Sequence, residues 1–124
     1  MITKQQIIDA KNNIGFDSNQ NYEHDDCIKI AYQWLDAQKR TKAIMTKTYP
    51  LKHLIERWAG RYVSKDDVIV AAYIHPKISG KYPLFNIDSR LVEPSRKRLQ
   101  NISEAFTQDQ NERHDSKDYT TKEQ

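Results

Sequence analysis

The predicted fold is decided by the segment Val63-Ser64-Lys65-Asp66-Asp67-Val68-Ile69-Val70-Ala71-Ala72-Tyr73-Ile74-His75. A serine that can cap a helix comes first, acids follow in the first turn, and apolar residues then recur at helical spacing. Pro76 ends this pattern, because proline cannot continue a helix. We therefore predict a helix from Ser64 to Pro76, although the β-branched residues 68–70 also suit a strand.

Two similar segments flank this helix, at residues 49–58 and 82–91. Both begin with Tyr-Pro-Leu, and both then place an apolar residue, an arginine and a second apolar residue at the same offsets. Since proline is favoured at the first position of a helix, we predict that helices begin at Pro50 and at Pro83. Gly60 would end the first of them in a left-handed turn. Three helices in this order predict a helix-turn-helix or winged-helix-like core.

The remaining segments extend this mainly α prediction. A helix capped by Thr3, with Gln6 at the capping-box position, opens the chain, and a loop follows over residues 17–21. A longer helix over residues 26–39 carries a broad apolar stripe, while residues 43–48 suit either its continuation or an extended link. Trp34 and Trp58 lie on apolar helix faces and are predicted to be core residues.

The C-terminal part is predicted to change from helix to flexible tail. Ser95 would cap a last helix, in which apolar residues recur at helical spacing at Leu99, Ile102, Ala105 and Phe106. Beyond Gln108 the only apolar residue is Tyr119, so this stretch cannot bury enough surface to offset the entropy of ordering. We expect a small single-domain helical protein: a compact domain over residues 1–107 and a polar flexible tail over residues 108–124.

Composition and cysteine content limit the size of the fold and the cellular compartment that the sequence favours. A chain of 124 residues suffices for one compact domain. The single cysteine, Cys27, cannot form an internal disulfide, which favours a reducing compartment. No apolar run approaches the roughly 18 residues of a membrane span, and the first residues lack the apolar core of a signal peptide. We expect a cytoplasmic protein that does not contact membranes.

Charge is distributed unevenly along the chain. The net charge is −3 over residues 1–38, +9 over residues 39–98 and −3 over residues 99–124. A basic middle is typical of a surface that binds a polyanion, since lysine and arginine neutralise phosphates and release counterions. A solvated basic face that keeps the protein soluble is the alternative.

The candidate nucleic-acid contacts lie within this basic middle. Asn86, Ser89 and Arg90 fall on the predicted recognition helix, and asparagine and arginine can make bidentate contacts to adenine and guanine edges. The alternatives are a turn residue for Asn86 and a surface charge for Arg90. The complete predicted set is Arg57, Arg61, Lys77, Lys81, Asn86, Ser89, Arg90, Arg96, Lys97 and Arg98.

Two basic clusters differ in their relation to helix ends. Cations at Arg96, Lys97 and Arg98 would oppose the dipole of a helix that starts at Ser95, so local stability does not explain them and phosphate contact does. Residues 39–42 include three cations that follow a predicted helix end, where the dipole favours positive charge. We interpret this second cluster as helix-end electrostatics.

The sequence carries no motif for catalysis or metal binding. His24 and Cys27 are spaced to hold a metal ion, but no second pair completes a set of four ligands. The other histidines lack a nucleophile beside them, and three scattered glycines form no phosphate-binding loop. We therefore expect no enzyme, no catalytic residue and no cofactor.

The function that these features favour is a small DNA-binding protein, either a monomer or a homodimer. The alternative is a protein-protein interaction module or inhibitor, of the kind that mobile elements encode, which binds an acidic protein partner. For DNA binding, Lys77, Lys81, Arg90 and the cluster at residues 96–98 should share one face with Arg57 or Arg61.

Overall fold

The protein is described by a computed structural model that covers residues 2–15, 22–46 and 49–124. In this part of the chain four α-helices come first: α1 at Lys4–Ile14, α2 at Asp25–Asp36, α3 at Leu51–Ala59 and α4 at Lys65–Ile74. Short strands follow: β1 at Gly80–Lys81, β2 at Leu84–Phe85, β3 at Val92–Glu93 and β4 at Thr121–Lys122. Three 3-10 helices, at Arg96–Leu99, Asp109–Arg113 and Ser116–Asp118, lie between β3 and β4. The predicted loop over residues 17–21 lies outside the described residues.

Two helices, α1 and α4, begin where their capping residues predict. Thr3 accepts a hydrogen bond from the Gln6 amide, and the Gln6 side chain accepts one from the Thr3 amide, which completes a capping box. Ser64 and Asp67 make the same reciprocal pair at the start of α4, at 3.0 Å each way. The predicted helix from Ser64 is confirmed, and the strand alternative for residues 68–70 is wrong.

The end of α3 is where the sequence predicts it, and the end of α2 is not. Gly60 adopts φ 62°, ψ 38°, the left-handed conformation that stops α3 as predicted. Its α-carbon also faces the chain near Phe106, where an added β-carbon would lie 2.9 Å from the ring. The second helix ends at Asp36, three residues before the predicted Lys39.

The core is centred on α4. This helix packs mainly against α2 and also against α1, and its small residue Ala71 is fully buried. Trp34 on α2 and Trp58 on α3 are 0% and 1% exposed, as predicted. The chain is thus compact and mainly helical, with small sheets added after α4.

Two predicted helices are wrong. Residues 83–91 form β2 and turns, because Phe85 pairs with β1 and Ile87 with Arg40, so that Phe85, Asn86 and Ile87 are buried in an extended chain. β1 and β2 pair antiparallel, with Gly80 opposite Phe85. After Ser95 the chain makes one 3-10 helix and then turns, in which Asn101 and Phe106 take positive φ values of 70° and 62° that an α-helix cannot contain.

The C-terminal segment is folded, in contrast to the predicted flexible tail. β4 pairs parallel with β3, with Val92 opposite Thr121. Tyr119 is 9% exposed, and its hydroxyl accepts a hydrogen bond of 3.0 Å from the indole nitrogen of Trp34. One buried aromatic ring and a short strand are therefore enough to fasten residues 114–124 to the core.

On its other side, β3 is hydrogen-bonded by a side chain. The amide of Gln38, 2% exposed, accepts from the Val92 nitrogen and donates to the Val92 carbonyl, both at 2.9 Å. The same amide also donates to the Trp34 carbonyl at 3.1 Å. Gln38 thereby ties the turn after α2 to β3.

Candidate polyanion-binding surface

The chain after α2 runs beside the strand that follows the β1–β2 hairpin. The Thr41 amide donates to the Asn86 carbonyl at 2.8 Å, and the Asp88 amide donates to the Lys39 carbonyl at 2.7 Å. Arg40 and Ile87 form an antiparallel bridge between these two bonds. Residues 39–42 therefore lie directly against residues 86–90, although about 45 positions separate them in the sequence.

Asn86 fastens a third segment to this pair. Its side-chain oxygen accepts from the Ser79 amide at 2.8 Å, and its side-chain nitrogen donates to the Lys77 carbonyl at 3.0 Å. With 9% of its surface exposed, Asn86 has a structural role and does not present its amide to a base edge. Its effect is to hold Lys77 beside the Thr41 backbone.

We call the resulting set of exposed cations the basic surface, defined by Lys39, Arg40, Lys42, Lys77 and Arg90. The ammonium groups of Lys39, Lys42 and Lys77 make no hydrogen bond or ion pair with any described residue. These three lysines are available to an external anion.

The two arginines of the basic surface each have a partner. Arg90 is 74% exposed at its side chain and pairs with Asp88 at 3.0 Å. Hydrogen bonds from Arg90 hold the pKa of the Asp88 carboxyl at about 2, so this carboxylate stays ionised beside the surface. Arg40 donates to the carbonyls of Asp36 and Gln38, both at 3.1 Å. These bonds fit the helix-end interpretation for Arg40, whereas Lys39 and Lys42 make no hydrogen bond to the end of α2 in the described part of the chain.

Asp36, the last residue of α2, contacts His75 at the end of α4 and Arg98 in the first 3-10 helix. His75 is buried, its Nδ1 accepts from the Lys77 amide at 3.1 Å, and its Nε2 therefore carries the proton and donates to Asp36 at 2.8 Å. Arg98 donates to the other oxygen of Asp36 at 2.9 Å. Burial opposes ionisation, but the hydrogen bonds from His75 and Arg98 outweigh it and lower the pKa of Asp36.

Two predicted contacts are structural arginines. Arg98 also donates to Gln33 at 2.9 Å and forms a bidentate pair with Glu123. Arg61, 9% exposed at its side chain, pairs with Glu104 at 3.1 Å and with Glu23 at 3.4 Å. Both guanidinium groups are occupied inside the protein.

The remaining predicted residues are spread over separate regions. Arg57 lines a polar groove between α3 and the 3-10 helix at Asp109–Arg113, and Arg96 lies over the Phe106 ring at 5.6 Å. Lys97 is exposed, and Lys81 lies at a different groove beside α4. Ser89 lines a hollow of about 410 Å³ next to the basic surface. Of the predicted set, Lys77 is joined to this region through Asn86, and Ser89 and Arg90 directly follow Asp88, whereas the other residues lie elsewhere or pair internally.

Residues 39–42 were not predicted as contacts. The sequence does show a basic cluster there, because three cations fall within four positions. The sequence does not reveal the pairing with residues 86–88. This pairing places the cluster beside a distant segment as well as at a helix end.

The His24–Cys27 pair is not arranged as a metal clip. The ring of His24 caps α2 by accepting from the Asp26 amide at 3.0 Å. Cys27 is fully buried, and its burial raises the pKa of the thiol to about 12. Among the described residues, no group of three or more histidine, cysteine or carboxylate side chains could hold a metal ion.

Comparison with known protein families finds no model that matches the chain, and comparisons with curated proteins and with solved structures find no significant similarity. None of the helices in the described ranges is both long and apolar enough to cross a membrane.

Proposed function

We propose that the protein binds nucleic acid, DNA in the first place, by contacting the phosphate backbone through the basic surface. The observation that carries this proposal is the pairing of residues 39–41 with residues 86–88, which brings the cations of residues 39–42 near Arg90 and its partner Asp88. Lysines such as Lys42 and Lys77, which make no hydrogen bond or ion pair with a described residue, are suited to phosphates because they act as point charges and release counterions on binding; Lys39 also acts on the Asp88 carboxylate.

The proposed binding is largely independent of base sequence. A helix-turn-helix docking mode needs a recognition helix that enters the major groove. Residues 83–91, which the sequence assigned to that role, form β2 and turns, and Asn86 is hydrogen-bonded inside the protein. Phosphate contacts position a protein on DNA without reading its sequence, and this is what the available lysines can do.

The test is fluorescence anisotropy with a labelled random duplex of about 20 base pairs, titrated at several salt concentrations. We expect the wild type to bind and its affinity to fall with salt, with a log–log slope of about −0.9 for each phosphate contact. Replacing Lys39, Lys42 and Lys77 together with Gln should weaken binding and flatten this slope by up to about 3. Duplex probes of unrelated sequence should respond alike, and single-stranded probes should show a shallower slope of about −0.7 for each phosphate contact.

A matched triple variant controls for net charge. Lys4, Lys117 and Lys122 are exposed and lie outside the basic surface, so replacing them with Gln removes the same total charge. Equal weakening by both triple variants would show that net charge, and not this surface, controls binding. Absence of salt-dependent binding by the wild type would overturn the proposal.

An acidic protein partner would use the same lysines. Poly-L-glutamate of comparable charge is a suitable probe, because it offers carboxylates on a peptide backbone in place of phosphates. If poly-L-glutamate binds more tightly than duplex DNA and loses affinity in the Lys39, Lys42 and Lys77 variant, the surface recognises acidic protein and the interaction-module alternative replaces the proposal.

A further inference from the structure

A second surface, separate from the basic surface, is an apolar groove along the outer side of α4. Its volume is about 440 Å³, and the end of α1 and the β1–β2 hairpin form its other walls. Its apolar lining consists of Ile14, Ile69, Ala72, Tyr73, Ile78, Tyr82 and Phe85.

The groove exposes apolar side chains that α4 does not pack against its neighbours. One face of α4 is fully buried at Val68 and Ala71, whereas Tyr73 on the other face is 54% exposed. A helix that is apolar on nearly all sides is normally covered on all sides. The outer face of α4 is therefore suited to a partner.

The charge at the rim indicates the chemistry of that partner. Lys65, in the first turn of α4, and Lys81, in the hairpin, both line the groove. None of the described residues that line it is acidic. Apolar walls with Lys65 and Lys81 at the rim complement a ligand that presents apolar side chains together with carboxylates.

The size of the groove favours a short segment over a second copy of the chain. Its volume falls within the range of roughly 300 to 1,000 Å³ that is usual for concave binding sites. A stable dimer needs about 800 Å² from each copy. On α1, whose end forms one wall, the exposed side chains are mainly polar, and Ile8 is the exposed large apolar residue among those described.

We propose that this groove docks a short acidic amphipathic segment of a partner protein, whose apolar side chains fill the groove and whose carboxylates meet Lys65 and Lys81. The proposal does not depend on nucleic-acid binding, since it uses different residues. Apolar anchors would supply most of the affinity, and the two lysines would select for acidic segments.

The test begins with a phage-displayed library of random 16-residue peptides, selected on the immobilised wild-type protein. We expect enriched peptides to combine aliphatic or aromatic residues with Asp and Glu. Synthetic versions should then bind the Lys65→Glu/Lys81→Glu variant roughly tenfold or more weakly, because rim cations would become repulsive. The Lys117→Glu/Lys122→Glu variant makes the same charge change away from the groove and should bind as the wild type does.

A second measurement on the unaltered protein avoids any effect of the substitutions on folding. Titration of the enriched peptide into isotope-labelled wild type should shift the amide NMR signals of Ile69, Tyr73 and Tyr82 most strongly. Shifts confined to other regions, equal affinity for both double variants, or no enrichment of acidic apolar peptides would each overturn the proposal. A wild-type dimer that Tyr73→Glu converts to a monomer, measured by light scattering, would assign the groove to a second copy and overturn it as well.

Discussion

At the scale of single residues, the two tryptophans show how a large side chain can be buried without leaving its polar atom unpaired. The indole nitrogen of Trp58 donates to the Pro94 carbonyl at 3.1 Å, and that of Trp34 donates to the Tyr119 hydroxyl. Each bond joins an early helix to a C-terminal segment. The tryptophans therefore fix the positions of segments that lack long helices of their own.

Replacing Trp58 with Ala should lower the free energy of unfolding by about 3 to 5 kcal/mol, the usual cost of removing a large buried aromatic side chain. Urea unfolding followed by circular dichroism measures this change. Trp58→Phe is the matched control, because it keeps most of the ring and loses the hydrogen bond to Pro94, so its cost should be clearly smaller. An unchanged midpoint in Trp58→Ala would place α3 outside the cooperative core.

Local residue chemistry also explains which parts of the fold could be predicted. Capping pairs such as Ser64 and Asp67 act within one turn, so the sequence alone reveals them. The conformation of residues 84–87 cannot be predicted from local sequence in this way, since their apolar spacing suits both a helix and an extended chain. Pairing with β1 on one side, and backbone hydrogen bonds with the distant residues 39–45 on the other, select the extended form.

At the scale of elements, β4 and the turn before it form a C-terminal strap, residues 114–124. Its sequence is almost wholly polar, which is why composition predicted a flexible tail. Its stability comes from contacts made far away in the chain: the pairing of β4 with β3, the Trp34–Tyr119 bond and the Arg98–Glu123 ion pair. Periodicity and composition describe the local sequence and therefore do not reveal contacts with distant residues.

Deleting residues 114–124 should therefore destabilise the protein, whereas a flexible tail could be removed without effect. Tyr119→Ala alone should account for much of the loss, about 3 kcal/mol, because it removes a buried ring and the partner of Trp34. Thermal unfolding monitored by circular dichroism checks both variants. Lys117→Ala, an exposed change in the same segment, serves as the control, and a truncated protein with the wild-type melting temperature would contradict the strap.

At the scale of the whole molecule, the acidic ends of the sequence pair with its basic middle. Arg98 holds Asp36 and Glu123, and Arg61 holds Glu23 and Glu104. Part of the +9 charge of residues 39–98 is thus matched internally. The candidate surface could not be read from this charge excess alone, because the sequence does not distinguish an arginine that pairs inside from a lysine that faces out.

Acidification should weaken these links. The pKa of Asp36 and that of Glu123 are both lowered, so each carboxylate stabilises the folded state fully above its ordinary pKa of 3.8 or 4.5. That stability is lost as the pH falls through the lowered values of the folded state. The difference in melting temperature between wild type and Arg98→Gln should therefore shrink between pH 6 and pH 3.

The exposed pair of Arg90 and Asp88 provides the control for this pH series. Arg90→Gln should change the melting temperature little at any pH, because an exposed ion pair contributes little to stability. A difference between wild type and Arg98→Gln that stays constant down to pH 3 would show that Asp36 and Glu123 do not act through Arg98.

The pairing of Gln38 with Val92 has a consequence for how the protein behaves in a crowded solution. A strand with a free row of amides and carbonyls can recruit a strand from another molecule and so begin aggregation. β4 covers one side of β3, and the side chain of Gln38 occupies the amide and carbonyl of Val92 on the other. A single glutamine thus substitutes for a third strand, and β3 offers no template at Val92 on which a foreign chain could assemble.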